Sequence, residues 1–257
     1  MSDLAGILAE RKTAGRKSLI PYVTGGLSAD WTRWIDTCVE GGADALEVGI
    51  PFSDPMMDGP VIQEASQLAL DRGVTPRSVL RDLESYSAAI PLAVMTYANL
   101  ALRPGLASFA QDLVSAGVSG AILPDLSLEE MNPWAEVADA HAIATVMLVA
   151  PTTPKERVES ITARARGFVY AVARLGVTGE RPDLEDNYGG VVEGIRSCTD
   201  LPILVGVGIA SAKQAAAAAQ VADGVIVGSA LMRRILAGES PQEIVDFLSE
   251  IREALDR

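Results

Sequence analysis

Eight times along 257 residues, a short run of apolar, strand-forming residues is followed by a stretch with helical spacing. This recurrence is the feature that most limits the folds open to the chain. The runs are Ser18–Thr24, Ala45–Ile50, Leu92–Thr96, Gly120–Leu123, Ala144–Ala150, Gly167–Val172, Pro202–Val205 and Gly224–Val227. Several are apolar throughout instead of alternating, which implies burial on both faces, as in a parallel sheet covered by helices. Helical spacing covers 4–16, 31–40, 60–71, 76–89, 105–116, 128–141, 154–166, 189–198 and 212–220, with a helical tail over 229–236 and 241–255. Eight such βα units suit a closed (β/α)₈ barrel, the TIM barrel, better than an open doubly wound sheet. With no linker, low-complexity segment or shift in composition, the expectation is one α/β barrel domain over residues 1–257, with extra N-terminal and loop helices.

Composition narrows the partners. Hydrophobic residues make up 49% of the chain, enough for a sizeable core. Against 21 basic residues stand 34 acidic ones, a net charge of -13 that repels nucleic acid and anionic lipid at long range. A bound phosphate would therefore be held locally, by backbone N–H groups and helix ends. Cys38 and Cys198 lie far apart without metal-ligand spacing and read as free thiols in a reducing cytosol. The first residues lack the pattern of a signal peptide, and no apolar run reaches spanning length, so a cytoplasmic protein is expected. His141 ends a helix on the αβ side, no His/Cys/Asp cluster points to a metal, and Trp31, Trp34 and Trp134 read as packing residues.

In a barrel, chemistry collects where strands end and βα loops begin. Glu47 is a carboxylate inside the otherwise apolar run Ala45-Leu-Glu-Val-Gly-Ile50. If Leu46 and Val48 face the helices, alternation points Glu47 into the lumen. An acid there is either satisfied by an inner hydroxyl or tyrosine or used in chemistry. Asp54 and Asp58 follow in a Pro- and Gly-punctuated loop, where each also fits an Asx-turn or a helix cap.

Two other places stand out at the same rim. The loop 173–188 is long and polar, with Gly176 and Gly179 as flexible points, and fits either a lid or a solvated excursion. Gly206-Val-Gly208 after the seventh strand and Gly228-Ser229 after the eighth let backbone amides approach an anion. That pair of positions is the usual phosphate site of such barrels, although tight turns and a helix cap use the same residues.

These residues also carry a resemblance. Glu47-Val-Gly-Ile-Pro-Phe-Ser-Asp-Pro-x-x-Asp-Gly-Pro-x-Ile-Gln63 closely resembles the signature of the tryptophan synthase α subunit family. The likeness continues through Pro21–Thr24, Met95–Asn99, Pro124–Glu130, Gly176–Gly179, Gly206–Ile209 and Asp223–Ser229. It implies a (β/α)₈ lyase that cleaves indole-3-glycerol phosphate into indole and glyceraldehyde 3-phosphate. It further implies an α₂β₂ complex, with pyridoxal phosphate only in the partner β subunit and no cofactor of the chain's own. Carried over by residue, the resemblance makes Glu47, Asp58 and Tyr170 catalytic, and gives the phosphate Gly179, Gly208, Gly228 and Ser229. Tyr22, Ile62, Met95 and Tyr97 would line the indole pocket, Arg174 and Thr178 would belong to the lid, and Pro51, Asp54 and Asn99 would face the β subunit.

The chain departs from the family pattern at Ala173, Val207, Ser127 and Met56-Met57, none of them a catalytic position. The departures at 127 and 56–57 bear on coupling to a β subunit. Two alternatives share the motif: a stand-alone lyase releasing free indole, and a non-catalytic activator of a β subunit.

Overall fold

The computed structural model describes residues 3–172, 188–206 and 208–257. Its eight parallel strands close into a barrel in sequence order, β1 pairing with both β2 and β8. They are β1 (Ser18–Thr24), β2 (Leu46–Gly49), β3 (Leu92–Met95), β4 (Val118–Ile122), β5 (Ala144–Val149), β6 (Val169–Val172), β7 (Ile203–Gly206) and β8 (Gly224–Val227). Each run predicted from the sequence overlaps its strand: β1 and β8 match it, β2, β3, β5 and β6 are a residue or two shorter, β7 is shifted by one residue, and β4 starts two residues earlier at Val118.

The helices follow the predicted order: α1 (Leu4–Thr13), α2 (Arg33–Glu40), α3 (Pro60–Asp71), α4 (Pro76–Glu84), α5 (Ala98–Leu102), α6 (Leu106–Ser115), α7 (Asn132–Ala140), α8 (Lys155–Arg164), α9 (Tyr188–Arg196), α10 (Ala212–Ala219), α11 (Ser229–Leu236) and α12 (Pro241–Leu255). Periodicity missed α5, because five residues are too few to display a 3.6-residue repeat. Its first amide, Ala98 N, donates to the Asp125 carboxylate at 2.9 Å, so a residue from the β4 loop caps it in place of a local one. Local caps appear where the sequence offers them: Thr75 and Ser240 each form a reciprocal capping box, with Pro at the first helical turn of α4 and α12.

Alternation along the strands divides the buried side chains into two sets. One, including Leu46, Val48, Trp31 and Trp134, fills the shell between sheet and helices. The other lines the lumen and includes Ile20, Ile122, Phe168, Tyr170 and Leu204. The lumen is stopped at its N-terminal end by α1, whose Leu4 and Leu8 are fully buried among the inner residues. Gly120 permits this approach, since a Cβ there would collide with Leu4. Leu4 N also donates to Ser119 Oγ at 3.2 Å.

Below the barrel, Asp44 joins three segments. It accepts Arg11 Nη1 at 2.7 Å, Arg252 Nη1 at 3.1 Å and Leu19 N at 2.8 Å, tying α1 and α12 to the entry of β1 and β2. His141 sits where expected, at the C-terminal end of α7, its Nδ1 2.8 Å from Val137 O. The tryptophans are buried, and both cysteines are free. Among the described residues, no helix is long and apolar enough to cross a membrane, and no cluster of His, Cys, Asp and Glu could hold a metal ion. With α1 closing one end of the lumen, the acids of β2 and its following loop stand toward the other.

Candidate active site

Glu47 points into the lumen, because its neighbours Leu46 and Val48 are committed to the shell. It is 2% exposed, and its Oε2 has no hydrogen-bond partner among the described residues. The alternative of a satisfied structural acid therefore fails for this oxygen. Burial is the main reason its pKa is pushed up to about 8, and the negative charge of Asp58 adds to the rise. At neutral pH Glu47 thus holds its proton and can act as an acid.

Asp58 lies in the loop after β2, and it is not a cap. The N-cap of α3 is Gly59, which makes no side-chain capping bond. The Asp58 carboxylate instead accepts Tyr97 Oη at 3.2 Å. Tyr97 Oη itself accepts Met57 N at 3.0 Å, which fixes the phenol with its proton directed at Asp58. Burial raises the Asp58 pKa to about 6 against the lowering effect of the Tyr97 bond. The two acids are thus set apart: at pH 7 one is protonated and the other ionised.

Three phenols surround this pair. Tyr22 is opposite Glu47 in the β1–β2 register, and Tyr170 reaches in from β6. Both have pKa values raised by burial first. Among charges, Asp58 acts most strongly on Tyr22, and Glu47 on Tyr170. Each ring covers a strand glycine: a Cβ at Gly49 would run into the Tyr22 phenol, and one at Gly206 into that of Tyr170. Sequence reasoning gave Gly49 no role and grouped Gly206 with anion-binding turns; glycine inside a strand was the available signal of close approach. Phe52 stacks on Tyr97 with ring centroids 4.8 Å apart. Ile62 is buried at the first turn of α3, and Met95 is half-buried at the end of β3.

At the rim, Gly208 has φ +99° and Gly228 is the N-cap of α11, whose first residue is Ser229. Both glycines and the serine are half-buried. Their backbone amides and the α11 N-terminus are the kind of donors an anion needs. Arg174, Thr178 and Gly179 lie outside the described residues. Of the residues expected to face a partner, Asp54 and Asn99 are exposed and Pro51 is buried. Beside Asp54 and Asn99 stand three exposed apolar side chains, Met56 at 71%, Met57 at 40% and Leu102 at 55%.

A closed (β/α)₈ barrel that keeps one protonated and one ionised carboxyl in an aromatic-lined lumen has the form of an enzyme built for proton transfer. The chain belongs to the tryptophan synthase alpha chain family: the profile of the family described as "Tryptophan synthase alpha chain" matches residues 8–256. The tryptophan synthase alpha chain of Halorhodospira halophila is 44% identical, covering 100% of this chain and 97% of the relative. That of Thermobifida fusca is 42% identical over 98% of this chain and 97% of the relative. Among solved structures, Mycobacterium tuberculosis tryptophan synthase superposes with a TM-score of 0.91 at 37% identity, covering 100% of this chain and 99% of that one. Tryptophan synthase subunit alpha from Legionella pneumophila gives 0.87 at 34% identity, with coverage of 100% and 99%.

Proposed function

We propose that this chain cleaves indole-3-glycerol phosphate to indole and glyceraldehyde 3-phosphate by a retro-aldol step, as the α subunit of a tryptophan synthase. The observation that carries the reading is Glu47 in the lumen, whose Oε2 has no hydrogen-bond partner among the described residues, protonated at neutral pH beside an ionised Asp58.

In this mechanism Glu47 delivers its proton to C3 of the indole ring, and positive charge develops on the ring nitrogen. The ionised Asp58, accepting the ring N–H, stabilises that charge as it forms. Glu47, now a carboxylate, takes the proton from the side-chain hydroxyl next to the bond that breaks. The electron pair of the C–C bond returns to the ring, the hydroxyl carbon becomes the aldehyde, and Glu47 ends protonated as it began. Tyr22, Ile62, Met95, Tyr97 and Tyr170 enclose the ring and exclude water. The phosphate binds at the amides around Gly208, Gly228 and Ser229, a remote handle that positions the reacting end. Gly179, Arg174 and Thr178 complete that side of the site by the resemblance.

The reaction draws on no cofactor of the chain's own, and pyridoxal phosphate belongs in the β subunit. Docking of that subunit is supported by exposed apolar side chains on the segments that carry the expected partner-facing residues, Met56 and Met57 in the loop of Asp54 and Leu102 on the helix of Asn99. The place of work is the cytoplasm.

Incubation with indole-3-glycerol phosphate and detection of indole, with and without a tryptophan synthase β subunit, tests this reading. Indole release that rises on adding the β subunit is expected. Release unchanged by the β subunit would leave a stand-alone lyase, and no release under either condition would overturn the assignment. The pH dependence follows from the two acids: the rate falls below about pH 6 as Asp58 takes a proton and above about pH 8 as Glu47 loses one.

A further inference from the structure

The loop after β2 grips a single side chain near both of its ends. Phe52, close to its start, lies against the ring of Tyr97, with centroids 4.8 Å apart and ring planes tilted by 32°. At the far end Met57 N donates to Tyr97 Oη at 3.0 Å, and the phenol donates on to the Asp58 carboxylate at 3.2 Å. Tyr97 is buried, Phe52 and Asp58 are half-buried, and the residues between these two are mostly exposed. The Asp58 backbone is held as well, by Gln63 Nε2 donating to its carbonyl at 2.8 Å and by its own amide donating to Pro55 O at 3.2 Å. What remains to be set is the direction of the carboxylate.

That direction depends on how the Tyr97 ring stands. Tyr97 is the N-cap residue of α5, and the next amide, Ala98 N, donates to the Asp125 carboxylate at 2.9 Å, so the backbone end of the side chain is fixed. Fixing the backbone and the phenol oxygen still lets the ring tilt about the line between them. A phenol bound to a carboxylate prefers about 2.5–2.7 Å. The bond to Asp58 is longer, at 3.2 Å, so it does not hold the ring by itself. Phe52 lies against that ring, and a pair of aromatic rings has a narrower set of favoured tilts than a ring against an aliphatic chain.

Titratable groups surround Asp58 from each neighbouring element: Glu47 on β2, Tyr22 on β1, Tyr170 on β6 and Tyr97 at the start of α5. Among the described residues none of these is a cation. The Tyr97 bond is the influence that opposes burial and favours the ionised carboxylate.

We propose that Phe52 is a positioning residue for the reaction: by setting the tilt of the Tyr97 ring it keeps the phenol–Asp58 hydrogen bond in place and so aims the carboxylate at the substrate ring nitrogen. The catalytic consequence rests on the retro-aldol reading. The link from Phe52 through Tyr97 to Asp58 does not.

A cycle of variants in the full chain tests that link. Phe52→Leu removes the aromatic face and keeps apolar bulk, Tyr97→Phe removes the hydroxyl, and a third protein carries both. Each is followed by carboxyl ¹³C NMR in aspartate-labelled protein, with the Asp58 signal assigned by its loss in Asp58→Asn, and by the pH profile of kcat/KM for indole release. In Phe52→Leu the Asp58 midpoint should rise by about half a pH unit and carry the acid limb with it, so that kcat/KM falls about threefold below the limb. Phe52→Met, a second way to remove the aromatic face, should do the same, and Phe52→Tyr, which keeps one, should hold the parental midpoint. Tyr97→Phe should give a larger rise, to which Phe52→Leu adds nothing. A midpoint that stays at the parental value in both Phe52→Leu and Phe52→Met overturns the proposal. So does a shift of equal size with and without the Tyr97 hydroxyl, because Phe52 would then act on the loop and not through the phenol. If the parent released no indole, the functional reading would fail while the carboxyl titrations still decided the role of Phe52.

Discussion

Asp44 and Glu47 lie three residues apart on the same stretch of chain, both are shielded from solvent, and the fold treats them in opposite ways. Asp44, just before β2, is enclosed by Arg11, Arg252 and the Leu19 amide at 2.7–3.1 Å. Among the described residues Glu47, one pleat into the lumen, has no basic partner, and one of its oxygens accepts nothing. The first acid joins the two ends of the chain at the closed face of the barrel. The second is kept at a proton affinity that suits chemistry at the open face. An acid that is fully paired holds structure together, and an acid left unpaired in the same core is held there by the surrounding fold at a cost to stability.

The largest effect that could break this contrast is catalytic. Glu47→Gln keeps the shape and removes the transferable proton, and indole release should fall by about 10³-fold or more, with KM little changed. Asp58→Asn removes the countercharge but not the proton donor, and the expected loss is smaller, about 10²-fold. Steady-state kinetics on both variants checks the order. Indole release unchanged by either substitution would mean that the lumen acids do not carry the reaction.

Next in size is the structural acid. Asp44→Ala leaves the guanidinium groups of Arg11 and Arg252 facing each other without their shared carboxylate, and denaturant unfolding should show a loss of about 3–5 kcal/mol. The rate per folded molecule should stay at the parent's value, because Asp44 is at the opposite end of the lumen from the mouth. If Asp44→Ala lowered kcat in fully folded protein, the division between the two ends of the barrel would be wrong.

Smaller again is a packing test of the closed end. Leu8→Ala removes one of the two α1 side chains that fill the lumen beside Ile20 and Phe168, and should destabilise by about 2–4 kcal/mol. The expected readout is a lower unfolding midpoint with an unchanged pH profile of indole release.

The closed face was less legible in the sequence than the open one. Strand positions could be read because burial on both faces leaves unbroken apolar runs, and Glu47 stood out as the one charge interrupting such a run. Its direction followed from alternation alone. Asp44 carried no such signal: its partners Arg11 and Arg252 are 33 and 208 residues away in the chain, and only barrel closure brings them together. The stretch 4–16 shows helical spacing, and nothing local says that its Leu4 and Leu8 enter the lumen. Asp58 could be read from the residues alone as a cap, because a loop acid before Gly-Pro suits one. The Tyr97 phenol that decides otherwise comes from just beyond the next strand, at the N-cap of α5, 39 residues on.

The last expected effect is the pH dependence of stability that Glu47 imposes, and its sign separates a working acid from a structural one. Burial raises the carboxyl from its ordinary 4.5 to about 8 in the folded chain. Below about pH 4.5 the group is protonated both folded and unfolded, and the folded state incurs no ionisation penalty. As pH rises from 4.5 toward 8, the unfolded chain ionises while the folded one keeps its proton, so stability falls; above about 8 both forms are ionised and the loss levels off. Glu47→Gln has no proton to lose. Its stability should match the parent's near pH 4.5, exceed it progressively between 4.5 and 8, and settle about 2–3 kcal/mol higher beyond, after relaxation around the ion is allowed for. Thermal unfolding of the two proteins across that range is the measurement, with an expected gain of several degrees at pH 8 and above. A variant less stable than the parent at pH 8 would show that the Glu47 carboxylate is paired after all, and would remove the contrast with Asp44.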